Sequence, residues 1–372
     1  MSQSSEYLQS KLQERKDLGL LRSLQHTSHL IDFASNDYLG LAQNNLIHLN
    51  ASAYNSTGAT GSRLISGNSF EAEHAEKSLA HFFGFESGLI FNSGYHANIG
   101  LFSCISNKED VFVSDELVHA SIIDGMRLSH AKRYKFKHNS CIDLDECLSR
   151  LRRKHAAKIF VAVESVYSMD GDIASLKEMT EICIKHKADL IVDEAHAAGI
   201  FGEYGKGFVA HEQLQDKVFA CVYTFGKAYG LHGAMVTGNA ILKDYLINFS
   251  RPFIYSTALP PHSFKQIESI VSKEYATERK MLLENIEYFN HKKSELHHLS
   301  FQVSNTQIQA LIIGNNEHSK QVSYKLNQVG IFCKAILSPT VATGTERLRI
   351  CLHAYNTKTD IDLLLNIIQK EL

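Results

Sequence analysis

Five short apolar runs, each followed by polar turn residues and then by a segment with helical spacing, constrain the fold of this chain most strongly. The runs are Gly88–Phe91, Val111–Val113, Ile159–Val163, Leu190–Val192 and Val218–Tyr223. Strands that alternate with helices in this way form a parallel sheet wrapped by helices. The sequence therefore predicts an α/β fold, and 372 residues with 44% hydrophobic content suffice for a substantial core.

The two ends of the chain follow a different pattern. Residues 5–24 carry apolar positions at helical spacing, which predicts an amphipathic N-terminal helix. Beyond Pro260, the candidate elements are a charged helix over 263–293 and strands over 309–313 and 347–352. Thr357 then offers an N-cap for a final amphipathic helix. We expect three parts: an N-terminal helix or arm over 1–35, a large domain over 36–260 and a smaller α+β domain over 261–372.

Charge and cysteine usage argue against several classes of function. With 38 basic and 40 acidic side chains the net charge is only -2, so we expect neither a nucleic-acid partner nor a membrane surface. The seven cysteines never form a Cys-x-x-Cys pair, which fits reduced thiols. The first residues lack the apolar segment of a signal peptide, so we expect a cytoplasmic protein. No histidine or cysteine spacing indicates a metal site.

The polar residues that follow the apolar runs form a chemically coherent set. Ligands bind beyond the carboxyl ends of the strands in open parallel sheets, so these residues are expected to converge. They are Ser93, Gly94, Tyr95, His119, Glu164, Ser168, Asp193, His196, Thr224 and Lys227. Together they offer a phosphate cradle, carboxylates, two imidazoles and a lysine.

The first of these stretches, Ser93-Gly94-Tyr95, lies between a predicted strand and a predicted helix. Free backbone amides and the positive end of a helix hold phosphate groups at such positions. A turn with glycine at this place is, by itself, more often only a turn. His119 and His196, taken singly among 20 histidines, could equally be ordinary core or surface residues.

Lys227 and Asp193 indicate a specific function only when they are considered as a pair. Lys227 follows an apolar strand and is flanked by Gly226 and Ala228, a setting in which desolvation favours a neutral amine and Schiff-base formation. A single lysine is usually a solvated surface charge, and Asp193 alone could cap a helix. A pyridine cofactor, however, needs both an acid partner and a Schiff-base lysine, and two successive predicted strands supply them.

Nine stretches, in this order, resemble the motifs of the α-oxoamine synthases, which are pyridoxal-phosphate enzymes of fold type I. They are Ser35–Leu41, Gly61–Gly67, Asn92–Tyr95, His119–Ser121, Glu164–Gly171, Val192–His196, Thr224–Lys227, Arg251–Pro261 and Gly344–Arg349. The resemblance covers nearly the whole chain. It implies a large domain with a mostly parallel seven-stranded sheet between helices and a smaller α+β C-terminal domain.

The resemblance also implies a cofactor, pyridoxal 5'-phosphate, and roles for individual residues. Lys227 would hold the cofactor as a Schiff base, Asp193 would pair with its ring nitrogen, and His119 would stack on its ring, so these three are the implied catalytic residues. The other implied cofactor contacts are Ser93, Gly94, Tyr95, Glu164, Ser168, His196 and Thr224. Ser256 and Thr257 resemble phosphate contacts that come from a second subunit, which implies a homodimer with shared active sites.

The substrates follow from the same resemblance. The implied substrate contacts are Asn36, Thr340, Arg349 and Arg22, with Arg349 as the carboxylate clamp. The sequences of Gly61–Gly67 and of Tyr255–Pro261 favour the family members of biotin synthesis. These members join L-alanine to a pimeloyl thioester, of coenzyme A or of acyl carrier protein, with loss of carbon dioxide. Two alternatives stay open: a family member that uses another amino acid and acyl-CoA, and a non-catalytic binding subunit.

Overall fold

The computed structural model describes residues 2–43, 57–153 and 157–372, and it divides into two units. The large unit is Asn36–Leu282, and the small unit combines Met1–Ser35 with Leu283–Leu372. This division falls later in the chain than the boundary after residue 260 that the sequence suggests, because helix Pro261–Val271 packs against helix Phe70–Phe83 of the large unit. The domain assignment made from the sequence stays a prediction.

Strands and helices alternate through the large unit as the apolar runs predict. The strands of the chain are β1 (Ile31–Asp32), β2 (Ser87–Phe91), β3 (Val111–Asp115), β4 (Lys132–Phe136), β5 (Ile159–Glu164), β6 (Asp189–Asp193), β7 (Ala220–Thr224), β8 (Ala234–Gly238), β9 (Ser300–Phe301), β10 (Ile308–Ile312), β11 (Ile331–Phe332), β12 (Lys334–Ile336) and β13 (Arg347–Cys351). The α-helices are α1 (Gln3–Asp17), α2 (Phe70–Phe83), α3 (Gly94–Phe102), α4 (Ala120–Leu128), α5 (Cys141–Arg153), α6 (Leu176–Lys185), α7 (Phe208–His211), α8 (Ala240–Phe249), α9 (Arg251–Ile254), α10 (Pro261–Val271), α11 (Ala276–Ser294), α12 (Asn316–Gln328) and α13 (Lys358–Glu371). A short 3₁₀ helix covers Glu203–Gly205.

The central sheet of the large unit has seven strands in the order β2-β8-β7-β6-β5-β3-β4. Strands β7, β6, β5, β3 and β4 run parallel, and β8 runs antiparallel to both of its neighbours. The register pairs Glu164 with Asp193 and Asp193 with Val222, so β5, β6 and β7 end side by side. The predicted seven-stranded, mostly parallel sheet of fold type I is therefore confirmed.

Helices α3 and α4 cover one face of this sheet with apolar side chains. Leu101 and Ile122 of these helices belong to the same buried cluster as Phe112, Phe160 and Val222 of the strands. Burial of each such side chain stabilises the fold by roughly 1.5–3 kcal/mol. The cluster fixes the two helices against the sheet, and it thereby fixes the positions of their N-terminal residues at the carboxyl ends of the strands.

The small unit is built on an antiparallel sheet in the order β12-β13-β10-β9, with β1 and β11 as a separate parallel pair. Thr357 caps α13 as predicted: its hydroxyl accepts from the Asp360 N–H at 3.1 Å, and the Asp360 carboxylate accepts from the Thr357 N–H at 2.8 Å. This reciprocal capping box satisfies two backbone donors at the start of the helix. No helix in the described part of the chain is both long and apolar enough to span a bilayer.

Two predicted helices differ from the observed ones. The N-terminal helix ends at Asp17 rather than near residue 24, because Gly19 takes the left-handed conformation (φ +64°) that terminates helices. The long helix predicted over 263–293 is two helices, α10 and α11. The break begins at Ser272, whose hydroxyl donates to the Glu268 carbonyl and so competes with continuation of the helix. Tyr275, in the segment between the two helices, is buried.

Candidate active site

A cavity of about 260 Å³ opens at the carboxyl ends of β5, β6 and β7 in the large unit. Most residues that the sequence singles out line it. These are Asn36, Ser93, Gly94, Tyr95, His119, Glu164, Asp193, His196, Thr224 and Lys227. The topology explains the convergence, because parallel strands deliver the residues that follow them to the same edge of the sheet.

The N-terminus of α3 forms one wall of the cavity. Ser93 is the N-cap, and its hydroxyl accepts from the His96 N–H at 3.3 Å. Across the described residues, the Gly94 and Tyr95 N–H groups have no acceptor, as expected for the first turn of a helix. A Cβ at Gly94 would lie 2.6 Å from Thr224 Cγ2, so only glycine lets the backbone approach β7 this closely. The wall is suited to bind an anion.

Asp193, at the end of β6, presents a carboxylate whose two oxygens are each held by a neighbouring donor. The Asn98 amide donates to Oδ2 at 2.8 Å, and the Ala195 N–H donates to Oδ1 at 2.9 Å. Asn98 also donates to the Ser121 hydroxyl at 2.9 Å. The carboxylate is only 5% exposed, so this network fixes its orientation at the cavity.

His119 is the N-cap of α4 and lines the same cavity. Its Nδ1 accepts from the Ser121 N–H at 3.2 Å, which leaves Nε2 to carry the proton of a neutral ring. Burial lowers the pKa of His119; the charge of Asp193 opposes this effect, and the charge of Lys227 adds to it. The ring is therefore favoured in its neutral form, which suits stacking against a flat ligand.

Lys227 follows β7 and is half-buried beside His196. Its Nζ lies 2.7 Å from His196 Nε2, and His196 Nδ1 lies 2.7 Å from the Tyr38 hydroxyl. His196 is 4% exposed, so this hydrogen-bonded chain lies largely out of solvent. The arrangement places a primary amine at the cavity next to an imidazole that can exchange a proton with it.

Glu164, at the end of β5, is a fully buried carboxyl group. Burial, and next the charge of Asp193, raise the pKa of Glu164 to about 8, so the group keeps its proton at neutral pH. Its Oε2 accepts from the Ser168 N–H at 3.2 Å, whereas its Oε1 has no hydrogen-bond partner among the described atoms. A protonated carboxyl with one unsatisfied oxygen at a cavity is a candidate contact for a polar ligand.

Pyridoxal phosphate, which the sequence resemblance implies, fits these groups. The unsatisfied N–H groups of Gly94 and Tyr95 and the buried Thr224 Oγ1, which also lacks a partner among the described residues, suit its phosphate. Asp193 suits its ring nitrogen, and the Lys227 amine suits its aldehyde. The donor and acceptor set therefore matches the cofactor in kind.

Three predicted site residues of the large unit do not line this cavity. Ser168 contacts Glu164 through its backbone but lies outside the lining, and Ser256 and Thr257 lie outside it as well. Thr340 and Arg22 are exposed residues of the small unit. Arg349, on β13 of that unit, is 9% exposed and donates to Cys351 Sγ at 2.9 Å. The roles assigned to these residues stay predictions.

Other lining residues were missed from the sequence. Among them are Asn98, Ser121 and His232. Asn98 lies one helical turn after Gly94, so helical spacing from the glycine was the available signal. Ser121 belongs to the His119–Ser121 motif, in which only the histidine was assigned a role. His232 follows β7 in a loop, and no spacing rule points to it.

Comparisons with known proteins agree with this geometry. The family model for aminotransferase class I and II matches residues 28–368. An 8-amino-7-oxononanoate synthase from Lysinibacillus sphaericus is 39% identical, over 91% of this chain and 87% of the relative. A crystal structure of 8-amino-7-oxononanoate synthase from Francisella tularensis matches with a TM-score of 0.78 and 32% identity, over 92% of this chain and 97% of that chain. A serine palmitoyltransferase structure with pyridoxal phosphate as internal aldimine matches with a TM-score of 0.86 and 26% identity, over 100% and 98% of the two chains.

Proposed function

Because the chain belongs to the aminotransferase class I and II family, we propose that it joins L-alanine to a pimeloyl thioester to form 8-amino-7-oxononanoate. Carbon dioxide and the free thiol are the other products of this reaction. The name of the Lysinibacillus sphaericus relative supports the choice of product. The proposal rests structurally on one observation: Lys227 and Asp193, distant in the chain, line a single cavity.

The chain is a pyridoxal-phosphate-dependent acyltransferase related to 8-amino-7-oxononanoate synthases, enzymes of biotin synthesis. The predictions of the α-oxoamine synthase family, of fold type I, of the enzyme class and of the cofactor are therefore confirmed. These relationships argue against the non-catalytic binding subunit, which was the most distant alternative.

The residues of the cavity would have different roles in the proposed reaction. Pyridoxal phosphate, when bound, supplies an electron sink for negative charge at the α-carbon of an amino acid. Asp193 would hold a proton at the ring nitrogen, and Gly94, Tyr95 and Thr224 would bind the phosphate. The Lys227 amine would anchor the cofactor.

Lys227 would also remove the proton from the α-carbon of the amino acid and return one to the product. A positioned general base of this kind contributes roughly 10²–10⁴-fold to a rate. Arg349 remains the proposed clamp for the substrate carboxylate, and Asn36, Thr340 and Arg22 remain proposed substrate contacts.

We also propose a homodimer with shared active sites. Ser256 and Thr257 lie outside the cavity of their own chain, as expected for residues that serve a partner. The Asn92 side chain donates to the Thr257 carbonyl at 2.8 Å, and the Ala258 N–H donates to the Gly61 carbonyl at 2.9 Å. These bonds fix the Ser256–Thr257 segment in a defined conformation, from which it could reach a phosphate in the second subunit.

A cytoplasmic location is proposed on the basis of thiol chemistry. None of the seven cysteines forms a disulfide, and six of them are buried. Free thiols in this number are typical of reducing compartments.

The test of the proposed reaction is direct. The purified protein is incubated with pyridoxal phosphate, L-alanine and pimeloyl-CoA, and the products are identified by mass spectrometry. We expect 8-amino-7-oxononanoate, with release of one carbon dioxide for each free thiol. Condensation of pimeloyl-CoA with a different amino acid in a competing panel, and none with alanine, would overturn the substrate assignment while leaving the reaction class intact.

A second candidate is the condensation of serine with a long-chain acyl-CoA. The observation that favours it is the structural match to serine palmitoyltransferase, which covers 100% of this chain against 92% for the Francisella tularensis enzyme. Sequence identity points the other way, at 26% against 32%. The same assay, run with serine and palmitoyl-CoA as one arm, separates the two candidates.

A further inference from the structure

A buried tyrosine contacts the imidazole that lies beside the proposed cofactor lysine. Tyr38 is 0% exposed, and its hydroxyl lies 2.7 Å from His196 Nδ1 and 2.9 Å from Asn36 Oδ1. It does not line the cavity. Nothing in the sequence motifs assigns it a chemical role, although it lies within the Ser35–Leu41 stretch.

The direction in which the Tyr38 hydroxyl donates determines the proton positions along this chain of hydrogen bonds. A tyrosine hydroxyl carries one proton, and here it donates that proton to Asn36 Oδ1. The contact with His196 Nδ1 must then be donated by the ring, so the proton of a neutral imidazole resides on Nδ1. The Nε2 atom is left as an acceptor, and it receives a hydrogen bond from the Lys227 amine at 2.7 Å.

The opposite arrangement needs only one rotation of the hydroxyl. If Tyr38 donates to His196 Nδ1 instead of to Asn36, the ring proton must reside on Nε2. His196 can then donate from Nε2, and Lys227 is no longer held as its donor. Both heavy-atom distances suit either direction, because each is compatible with a hydrogen bond whichever partner supplies the proton.

We propose that Tyr38 is a positioning residue whose hydroxyl, by choosing between Asn36 and His196, sets which ring nitrogen of His196 carries the proton. In the cofactor-free protein the proton lies on Nδ1 and Nε2 accepts from Lys227. Once Lys227 is bound to the cofactor, the proton moves to Nε2, from which His196 donates to an oxygen of the ligand. Only this second half of the inference rests on the proposed function.

The experiment reads the tautomer of His196 directly. Protein carrying ¹⁵N in its histidine rings is examined by NMR, with the His196 signals assigned by their absence in His196→Gln. The wild-type protein without cofactor should show the Nδ1-protonated tautomer, and addition of pyridoxal phosphate should convert it to the Nε2-protonated form. In Tyr38→Phe, the two nitrogens should shift toward a common average, with and without cofactor.

Two further variants test the mechanism in opposite directions. Asn36→Leu removes the acceptor for Tyr38, so the hydroxyl should turn to His196 and give the Nε2-protonated form even without cofactor; Asn36→Asp, which keeps an acceptor oxygen, should retain the wild-type tautomer. Tyr229→Phe is the matched control. It removes the hydroxyl of another buried tyrosine, which donates to the Gly205 carbonyl at 3.3 Å, and should leave His196 unchanged.

Activity supplies a second readout. Because one orienting hydrogen bond is lost, kcat of Tyr38→Phe should fall about fivefold to tenfold, with little change in KM for the amino acid. Wild-type tautomers in both Tyr38→Phe and Asn36→Leu would overturn the role of Tyr38. Failure of the proposed function looks different: pyridoxal phosphate would then produce no change in any variant, while the tautomer differences in the cofactor-free proteins would persist.

Discussion

Asp193 faces the cavity in a fixed orientation because the Asn98 amide and the Ala195 N–H each hold one of its oxygens. The substitution Asp193→Asn removes the negative charge of this side chain and keeps its size and shape. An amide at this position cannot stabilise a proton on a ring nitrogen as a carboxylate does. The electrostatic part of the proposed catalysis is therefore concentrated in one residue.

We predict that Asp193→Asn slows exchange of the α-proton of alanine with solvent about 10²–10³-fold, a typical cost for removing one preorganised electrostatic partner. Proton NMR in deuterated buffer measures this exchange. Asp189→Asn is the matched control, because Asp189 begins the strand that Asp193 ends and lies outside the cavity. Equal exchange rates in the two variants would remove the proposed role of Asp193.

Glu164 makes the stability of the fold depend on pH. Its pKa is raised to about 8 from a usual value of 4.5 by burial and by the charge of Asp193. The unfolded chain therefore loses this proton near pH 4.5, whereas the folded chain keeps it until about pH 8. The contribution of this group to stability is fully present below the unfolded value and is lost as the pH rises toward 8.

We predict that Glu164→Gln, in cofactor-free protein, becomes progressively more stable than the wild type between pH 5 and pH 8, by about 1 kcal/mol for each pH unit. Urea unfolding at several pH values measures the difference. Glu212→Gln, at an exposed position, should give a curve parallel to that of the wild type. A constant offset for Glu164→Gln across this range would show that Glu164 is ionised in the fold.

The sequence predicted the groups of the cavity that perform distinctive chemistry, but not the groups that orient them. Lys227, Asp193 and His119 have ionisable side chains and follow apolar runs of the sequence. Asn98 and Tyr38 are ordinary residue types, and their importance comes from contacts across 95 and 158 positions of the chain. Such contacts depend on the packing of α3 and on the path of the chain after Ser35, which no local pattern specifies.

At the level of elements, most buried strands of the central sheet were predictable from their apolar runs, whereas β4 and β8 were not. Strand β4 has the sequence Lys-Arg-Tyr-Lys-Phe, and all of its residues except Phe136 are at least partly exposed. As an edge strand it needs no apolar run, and its charges protect the edge from pairing with other chains. Strand β8 is buried, but its apolar run Ala234–Val236 contains a single β-branched residue, so its strand propensity is weak.

The contribution of the α13 capping box to stability can be tested by mutation. We predict that Thr357→Ala lowers the free energy of unfolding by about 1 kcal/mol, because the N–H of Asp360 loses its acceptor. Urea unfolding followed by circular dichroism measures the loss. Thr359→Ala, within the first turn of the same helix, should be neutral or slightly stabilising because alanine is the better helix former. Equal losses in both variants would mean that the cap contributes nothing.

At the level of the whole molecule, the proposed shared site predicts complementation between two inactive proteins. Lys227→Ala removes the lysine, and Thr257→Glu places a negative charge where the partner is proposed to bind phosphate. In a mixed dimer, one of the two sites combines an intact Lys227 with an intact Thr257. The purified mixed dimer, which keeps one intact site of two, should therefore show about half of the wild-type activity per dimer.

The two variants are co-expressed, each with a different affinity tag, and the mixed dimer is purified through both tags. Mixing wild-type protein with Lys227→Ala is the control, and it should give activity in proportion to intact subunits. If each subunit instead completes its own site, the mixed dimer of Lys227→Ala and Thr257→Glu will show no activity above the parent proteins, and the shared-site proposal is wrong.

The lysine that binds the cofactor can be identified by chemical labelling. The protein is loaded with pyridoxal phosphate, reduced with borohydride, digested and mapped by mass spectrometry. We predict that the pyridoxyl group is found on the peptide that contains Lys227, and that Lys227→Ala loses both the label and the visible absorbance of the bound cofactor. A label on any other lysine of the wild-type protein would contradict this prediction.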